Sequence, residues 1–185
     1  MNFYESKELK NRSLPIKHNS NELSLLREAL AFYHPELIIE LGTLKGGLTL
    51  FFHETCPNAL VISFDIELIH PEFKEILEDL EHTHPYIPII VFQGDIFEPQ
   101  VSKFIQSAIK NNKCHKFLYC DDGNKPLEVQ TFSPHLQPRD LLGVHDWNTE
   151  IKEEDMLPVK HLFNPYMERV SQAHNLRFFI RNEEK

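Results

Sequence analysis

Residues 37–49, LIIELGTLKGGLT, constrain the fold of this chain more than any other stretch. A short apolar run closes on an acid, Glu40, with Gly42 just behind it. A glycine pair follows at Gly46 and Gly47, and then an amphipathic run. That order predicts a buried strand, a tight turn and the start of a helix. Glycine carries no Cβ, so such a turn can bring backbone N–H groups close to a ligand at a helix start. Ligands of open parallel sheets sit at the carboxyl ends of the strands, which predicts a nucleotide-type ligand at this turn.

The rest of the chain repeats the alternation. Apolar runs at 37–41, 60–64, 87–92, 116–120 and 141–144 read as five strands, and 176–180 as a last one. Between them lie stripes at helical spacing. Leu23, Leu26, Ala29, Leu30 and Tyr33 form one, stopped by Pro35. Residues 48–53 continue the helix opened by the glycine pair. Phe73, Ile76, Leu77 and Leu80 form another, as do Val101, Phe104, Ile105 and Ala108. Residues 127–136 make a poorer helix interrupted by Pro134, 149–158 a charged loop, and 165–173 a last helix. Strand–helix alternation predicts a mostly parallel, doubly wound α/β sheet with helices on both faces.

The length of 185 residues suits one domain. Residues 1–20 are polar and aperiodic and read as a loosely docked arm, with the domain over 21–185. At 41% hydrophobic and 25% charged, the composition is that of a globular protein. Net charge is −9, with no cluster of cations, so the chain does not read as a nucleic-acid binder. No apolar run reaches the roughly 18–20 residues of a membrane span, and the first twenty residues lack the apolar core of a signal peptide. Three cysteines without a C-x-x-C pair fit a reducing cytoplasm and read as packed small residues. His82 and His84 read as solvated residues near a helix end.

Chemistry concentrates at the strand ends. Glu40, Asp65, the Asp121-Asp122 pair and Asp146 each close a strand, and Asp95 follows the third. Buried carboxylates are costly unless partnered, so their repetition on one crevice predicts a polar ligand; capping of the following helices explains one or two of them equally well. Asp65 is placed to accept hydrogen bonds from a ribose diol. The glycine pattern is G-x-x-x-G-G, not the G-x-G-x-x-G that admits a pyrophosphate. Glu40, as an anion, would repel phosphate and tolerate a cationic sulfonium.

With these residues in place, Glu40 to Gly47 resembles motif I of class I S-adenosylmethionine-dependent methyltransferases. The nearest likeness is to the cephalosporin hydroxylase-like and catechol O-methyltransferase-like branch, over roughly residues 37–148. The resemblance implies a Rossmann-like methyltransferase fold and a small-molecule methyl acceptor attacked through oxygen. It implies that Glu40, Gly42, Thr43, Gly46, Gly47, Asp65, Ile66 and Asp121 bind the cofactor, with Gly94, Asp95 and Ile96 near the adenine. The run from Asp122 to Lys125 resembles the branch's D-x-x-K motif, which implies Asp122 and Lys125 as catalytic residues, Lys125 as the base; Lys125 also reads as a solvated helix-start residue. His145 and Asp146 resemble the fifth strand end that supplies metal ligands. A set of Asp122, His145 and Asp146 could then hold Mg²⁺ or Mn²⁺, the imidazole shifting preference toward Mn²⁺, Fe²⁺ or Zn²⁺. His145 serves equally as a hydrogen-bond partner of those acids without a metal.

The sequence departs from the family in two places: Leu48 stands where a serine often follows the glycine pair, and His145 where an acid often stands. The C-terminal end also reads as shortened, with one strand identifiable where the fold usually has two. Two alternatives therefore stay open, a non-catalytic methyltransferase-like binding domain and a nicotinamide-dependent oxidoreductase. A homodimer is open as well.

Overall fold

The computed structural model describes residues 2–5, 13–83, 89–111, 113–168 and 175–183. The anchor stretch forms β3 (Leu37–Leu41) and α2 (Gly47–Thr55). Around it run α1 (Ser20–Tyr33), β4 (Leu60–Asp65), α3 (Pro71–Thr83), β5 (Ile89–Gln93), α4 (Pro99–Asn111) and β6 (Lys116–Cys120). Next come α5 (Lys125–Phe132), β7 (Leu141–Val144), β8 (Phe163–Tyr166) and β9 (Arg177–Arg181). Two short strands, β1 (Asn2–Glu5) and β2 (Ser13–Ile16), pair antiparallel beside the main sheet.

The main sheet has the order β5-β4-β3-β6-β7-β9-β8. The first five strands in that order are parallel, and β9 and β8 close the sheet antiparallel. The order reverses between β3 and β6, so their carboxyl ends open a crevice. Helices cover both faces. On one, Leu26 and Leu30 of α1, Phe51 and Phe52 of α2, and Phe73 and Ile76 of α3 pack on Ile38, Val61, Phe117 and Tyr119. On the other, Ile105 and Ile109 of α4 and Val129 and Phe132 of α5 pack on Ile39, Ile62, Leu118 and Leu142. Fully burying each such side chain contributes roughly 1.5–3 kcal/mol. No helix among the described residues is long and apolar enough to cross a membrane.

Two expectations are corrected here. Pro165 and Tyr166, expected in a helix, belong to β8, which pairs with β9 from Phe163↔Arg181 to Tyr166↔Phe178. Met167 turns the chain with φ 52°, Glu168 is helical as expected, and 169–173 lie outside the described residues, as do 87–88 of the third expected strand. The C-terminal strand pair is therefore present rather than reduced to one strand.

The polar arm is the second correction. Leu14, Ile16 and His18 are buried, and β2 packs on α2. Asn19 caps α1, accepting from the N–H groups of Asn21 and Glu22, while Glu22 accepts from the Asn19 N–H. A cap of this kind stabilises a helix by about 1 kcal/mol, and it fixes where His18 sits.

Candidate functional site

The turn after β3 is held by backbone and closed on a carboxylate. The N–H groups of Gly42 and Thr43 donate to the Phe64 carbonyl at 2.9 and 3.1 Å. Gly42 has φ +101°, and a Cβ there would lie 2.6 Å from the Asp121 carbonyl oxygen, so only glycine lets β3 and the β6 loop approach. Leu44 takes a left-handed conformation, φ 51°, and its N–H donates to Asp65 Oδ2 at 2.6 Å. The Glu67 N–H donates to Asp65 Oδ1 at 2.8 Å. Both carboxylate oxygens are thus oriented, and each keeps a further lone pair. Thr43, Leu44, Asp65, Ile66 and Glu67 all line one cleft of about 590 Å³.

The glycine pair faces protein more than ligand. Gly46, φ +82°, sits against the Phe73 ring and is not on the cleft wall; a Cβ there would lie 2.2 Å from that ring. Gly47 is on the wall, but its own missing Cβ leaves room for the Pro15 carbonyl, 2.7 Å from where that atom would be. Leu48 lines the cleft, while the neighbouring Thr49 hydroxyl turns inward to Glu40.

Glu40 does not reach the cleft. It is fully buried, and Oε2 accepts from Thr49 Oγ1 and Ser63 Oγ, both at 2.5 Å. Thr43 Oγ1 extends the network to Ser63 at 2.5 Å. Burial pushes the Glu40 carboxyl up to about 8, against the pull of the two hydroxyls. It does not present the anion expected at the turn. Gly94, Asp95 and Ile96 are also off the cleft wall. Ile96 is buried in the core, and Asp95 Oδ1 accepts from the Phe97 N–H at the turn into α4.

The opposite wall gathers residues from four segments. Asp121 Oδ1 accepts from His145 Nδ1 at 2.9 Å. His18 stacks on His145, with ring centroids 3.9 Å apart, and its Nε2 meets the Tyr119 hydroxyl at 2.5 Å. Lys125 is buried at the start of α5. Its Nζ donates to the Asp122 carbonyl at 2.9 Å and to Glu150 Oε2 at 2.7 Å, and lies 3.0 Å from Asp146 Oδ2. Asp146 has φ 55°, and its carbonyl accepts from the N–H groups of Thr149 and Glu150. That turn carries Glu150 back over Lys125. Beneath, the buried Glu128 accepts from the N–H groups of Asp122 and Asn124, fixing the loop. Burial draws the Lys125 ammonium down, but Glu150, Asp121 and Asp146 outweigh it and hold it above its ordinary value.

His145 and Asp146 come together as expected, with Nδ1 to Oδ2 at 3.4 Å. Asp122 lines the cleft, yet the three-residue His/Asp group among the described residues is His18, Asp121 and His145. A metal lies in the plane of each imidazole that binds it, and rings stacked at 25° do not aim nitrogen lone pairs at one point. The oxygen donors around Lys125, namely Asp121, Asp146, Glu150 and the Asp122 carbonyl, form a second group that shares Asp121 with the first. His18 and Glu150 are the residues that sequence reasoning missed. His18 lies in the segment read as a polar arm, and nothing local said which sheet end it would meet. Trp147, just after Asp146, is buried away from this cleft, with the Arg177 guanidinium over its ring.

No family model and no curated protein matches the sequence. Solved structures do match the fold. The apo structure of CmcI-N160 aligns with a TM-score of 0.69 at 15% identity, covering 94% of this chain and 76% of that one. The CmcI-D160 structure with Mg-SAM gives 0.66 at 15% identity over 91% and 75%. A methyltransferase from Geobacter sulfurreducens gives 0.63 at 13% identity over 90% and 80%. The chain has the class I methyltransferase-type fold.

Proposed function

We propose that this protein transfers a methyl group from S-adenosylmethionine to an oxygen atom of a small molecule. The carrying observation is the cleft at the carboxyl ends of β3, β4, β6 and β7. One wall presents Asp65, oriented by two backbone N–H groups; the other presents a buried cluster of ionisable groups. The cleft wall holds six carboxylates and two lysines, a field that favours a sulfonium over a pyrophosphate. The fold likeness to a structure with Mg-SAM and the motif resemblance support the same reading.

The cofactor supplies an electrophilic methyl group, displaced from sulfur by the attacking oxygen. Asp65 accepts from the ribose hydroxyls with its remaining lone pairs, and the turn from Gly42 to Leu44 shapes the wall beside it. Residues at the Asp121, Lys125 and His145 end orient the acceptor and manage its proton, so catalysis rests on positioning. Lys125, charged and held by Glu150, Asp146 and the Asp122 carbonyl, does not take that proton in this state.

A divalent cation fits one part of this wall. Asp121, Asp146, Glu150 and the Asp122 carbonyl are all oxygen donors, as Mg²⁺ or Mn²⁺ requires. They would hold such an ion, which would lower the pKa of an acceptor hydroxyl. Asp122 would enter through its carbonyl rather than its carboxylate.

Lys125 also favours a second reading, a non-catalytic binding domain, because a buried, fully engaged ammonium is no base. A turnover screen of phenols, catechols and sugars separates the two. The nicotinamide reading is opposed by the G-x-x-x-G-G spacing, which lacks the glycines that admit a pyrophosphate, and by the excess of carboxylates on the cleft wall. Calorimetric titration with S-adenosylhomocysteine and with NAD tests that point: heat with NAD alone would reverse it.

A further inference from the structure

Lys125 sits inside its group of oxygens rather than beside it. The side chain is 4% exposed, and Nζ lies 2.7 Å from Glu150 Oε2, 3.0 Å from Asp146 Oδ2 and 3.6 Å from Asp121 Oδ1. The Asp122 carbonyl is 2.9 Å away on the same nitrogen. Three carboxylates from two strand ends and a turn converge on one ammonium. One ammonium serves three carboxylates, two of which, Asp121 and Asp146, also meet His145 Nδ1 at 2.9 and 3.4 Å; carboxylate charge left over in a partly buried site is costly.

The fold places the backbone of each cage residue, although the Glu150 side chain itself is half exposed. Glu128, fully buried, pins the loop that carries Asp121 and Asp122. The turn at Asp146 pins Glu150 through the Asp146 carbonyl. The donor set is hard oxygen throughout, and its present occupant is a cation supplied by the chain itself.

We propose that the Lys125 ammonium is a tethered occupant of the acceptor-side cation cage, and that it competes with a divalent ion for the same oxygens. A divalent ion would neutralise the three carboxylates better than one ammonium does. The ammonium, covalently attached, is present at high effective concentration. The two cannot share the cage, because both need Asp146 Oδ2 and Glu150 Oε2. Entry of the ion therefore expels the lysine into the cleft, away from the acids that hold its proton. The inference extends the methyl-transfer reading to the acceptor side of the same cleft, and it is tested without turnover.

The experiment is Mn²⁺ binding followed by electron paramagnetic resonance, on the full chain and on Lys125→Met. With the competitor removed, the Met variant should bind Mn²⁺ roughly tenfold or more tightly than the unmodified protein. Lys125→Arg, which keeps a cation in place, should stay as weak as the unmodified protein. Adding Glu150→Gln to the Met variant should reverse the gain. Should Lys125→Met fail to fold, Lys125→Gln keeps a donor for the cage and should show the same gain. Equal Mn²⁺ affinity in the folded neutral variant and the unmodified protein overturns the proposal. That outcome is independent of S-adenosylhomocysteine binding, so failure of the cage and failure of the methyl-transfer reading are told apart.

Discussion

His18 and His145 stack with ring centroids 3.9 Å apart at an interplanar angle of 25°. One comes from the segment before α1, the other from the end of β7. Both reach Asp121, His145 at 2.9 Å and His18 at 3.7 Å, but their surroundings differ otherwise. His145 is bonded to Asp121 and lies near Asp146 and Glu22, while His18 faces the Tyr119 hydroxyl and is 1% exposed. Two stacked imidazolium rings in a buried site repel each other, so one ring carries the charge.

That pair should titrate apart. Burial, with the charges of His145 and Lys125, holds His18 well below the ordinary histidine value. Burial also acts on His145, but the Asp121 bond and the acids around it outweigh that and raise it. The sign for stability differs too. His18 contributes stability that is lost as pH falls toward its folded value; His145 contributes stability that is lost as pH rises through its folded value. Ring ¹⁵N chemical shifts across a pH titration of the metal-free protein should give two separated midpoints on either side of 6.5. Two coincident midpoints would mean that the rings do not share this environment.

Gly47→Ala tests how the N-terminal segment is held. Alanine in a helix start would by itself gain about 0.5–1 kcal/mol of backbone entropy. Its Cβ would meet the Pro15 carbonyl at 2.7 Å and Ile16 Cγ1 at 2.8 Å, and overpacking of that kind costs about 1–3 kcal/mol. The clash wins, so the variant should be less stable, with faster amide exchange over residues 13–18. A raised melting temperature would contradict this packing.

Glu40 should give the protein an alkaline-sensitive stability. Its carboxyl lies at about 8 when folded against 4.5 as the ordinary value, so the folded state binds the extra proton between these pH values. The stabilisation is complete below about 4.5 and disappears as pH rises through about 8. Glu128, also buried and also raised to about 8, adds a slope of the same sign. Urea unfolding of the unmodified protein and of Glu40→Gln at pH 6 and pH 9 isolates the first. The unmodified protein should lose on the order of 2–3 kcal/mol more than the variant over that range. Equal losses would place the Glu40 proton elsewhere.

Much of the fold was legible because its strands are short apolar runs bounded by turn residues. β3, β6 and β7 begin and end where the sequence suggests. β8 was not legible: Asn164 and Pro165 break strand alternation, and only pairing with β9 makes that segment a strand. The site was half legible. Asp65, Asp121, Lys125, His145 and Asp146 were readable because each stands at or just past the carboxyl end of a strand or starts the next helix. Glu40 misled for the same reason, since strand ends do not say which side chains turn inward. Its partners Thr49 and Ser63 come from the following helix and the neighbouring strand. His18 and Glu150 enter from outside the strand–helix repeat, through a capped helix start and a left-handed turn, and no periodicity announces either.

The most direct test of the central claim is calorimetric titration of S-adenosylhomocysteine into the unmodified protein and into Asp65→Ala. Micromolar affinity, roughly −8 kcal/mol, is expected for the unmodified protein. The Asp65 carboxylate, fixed by the Leu44 and Glu67 N–H groups, should contribute about 1.5–3 kcal/mol through its charged hydrogen bonds to the ribose. The variant should therefore bind roughly ten- to a hundredfold more weakly while remaining folded. Absence of binding by the unmodified protein, or binding that Asp65→Ala leaves unchanged, would contradict the account.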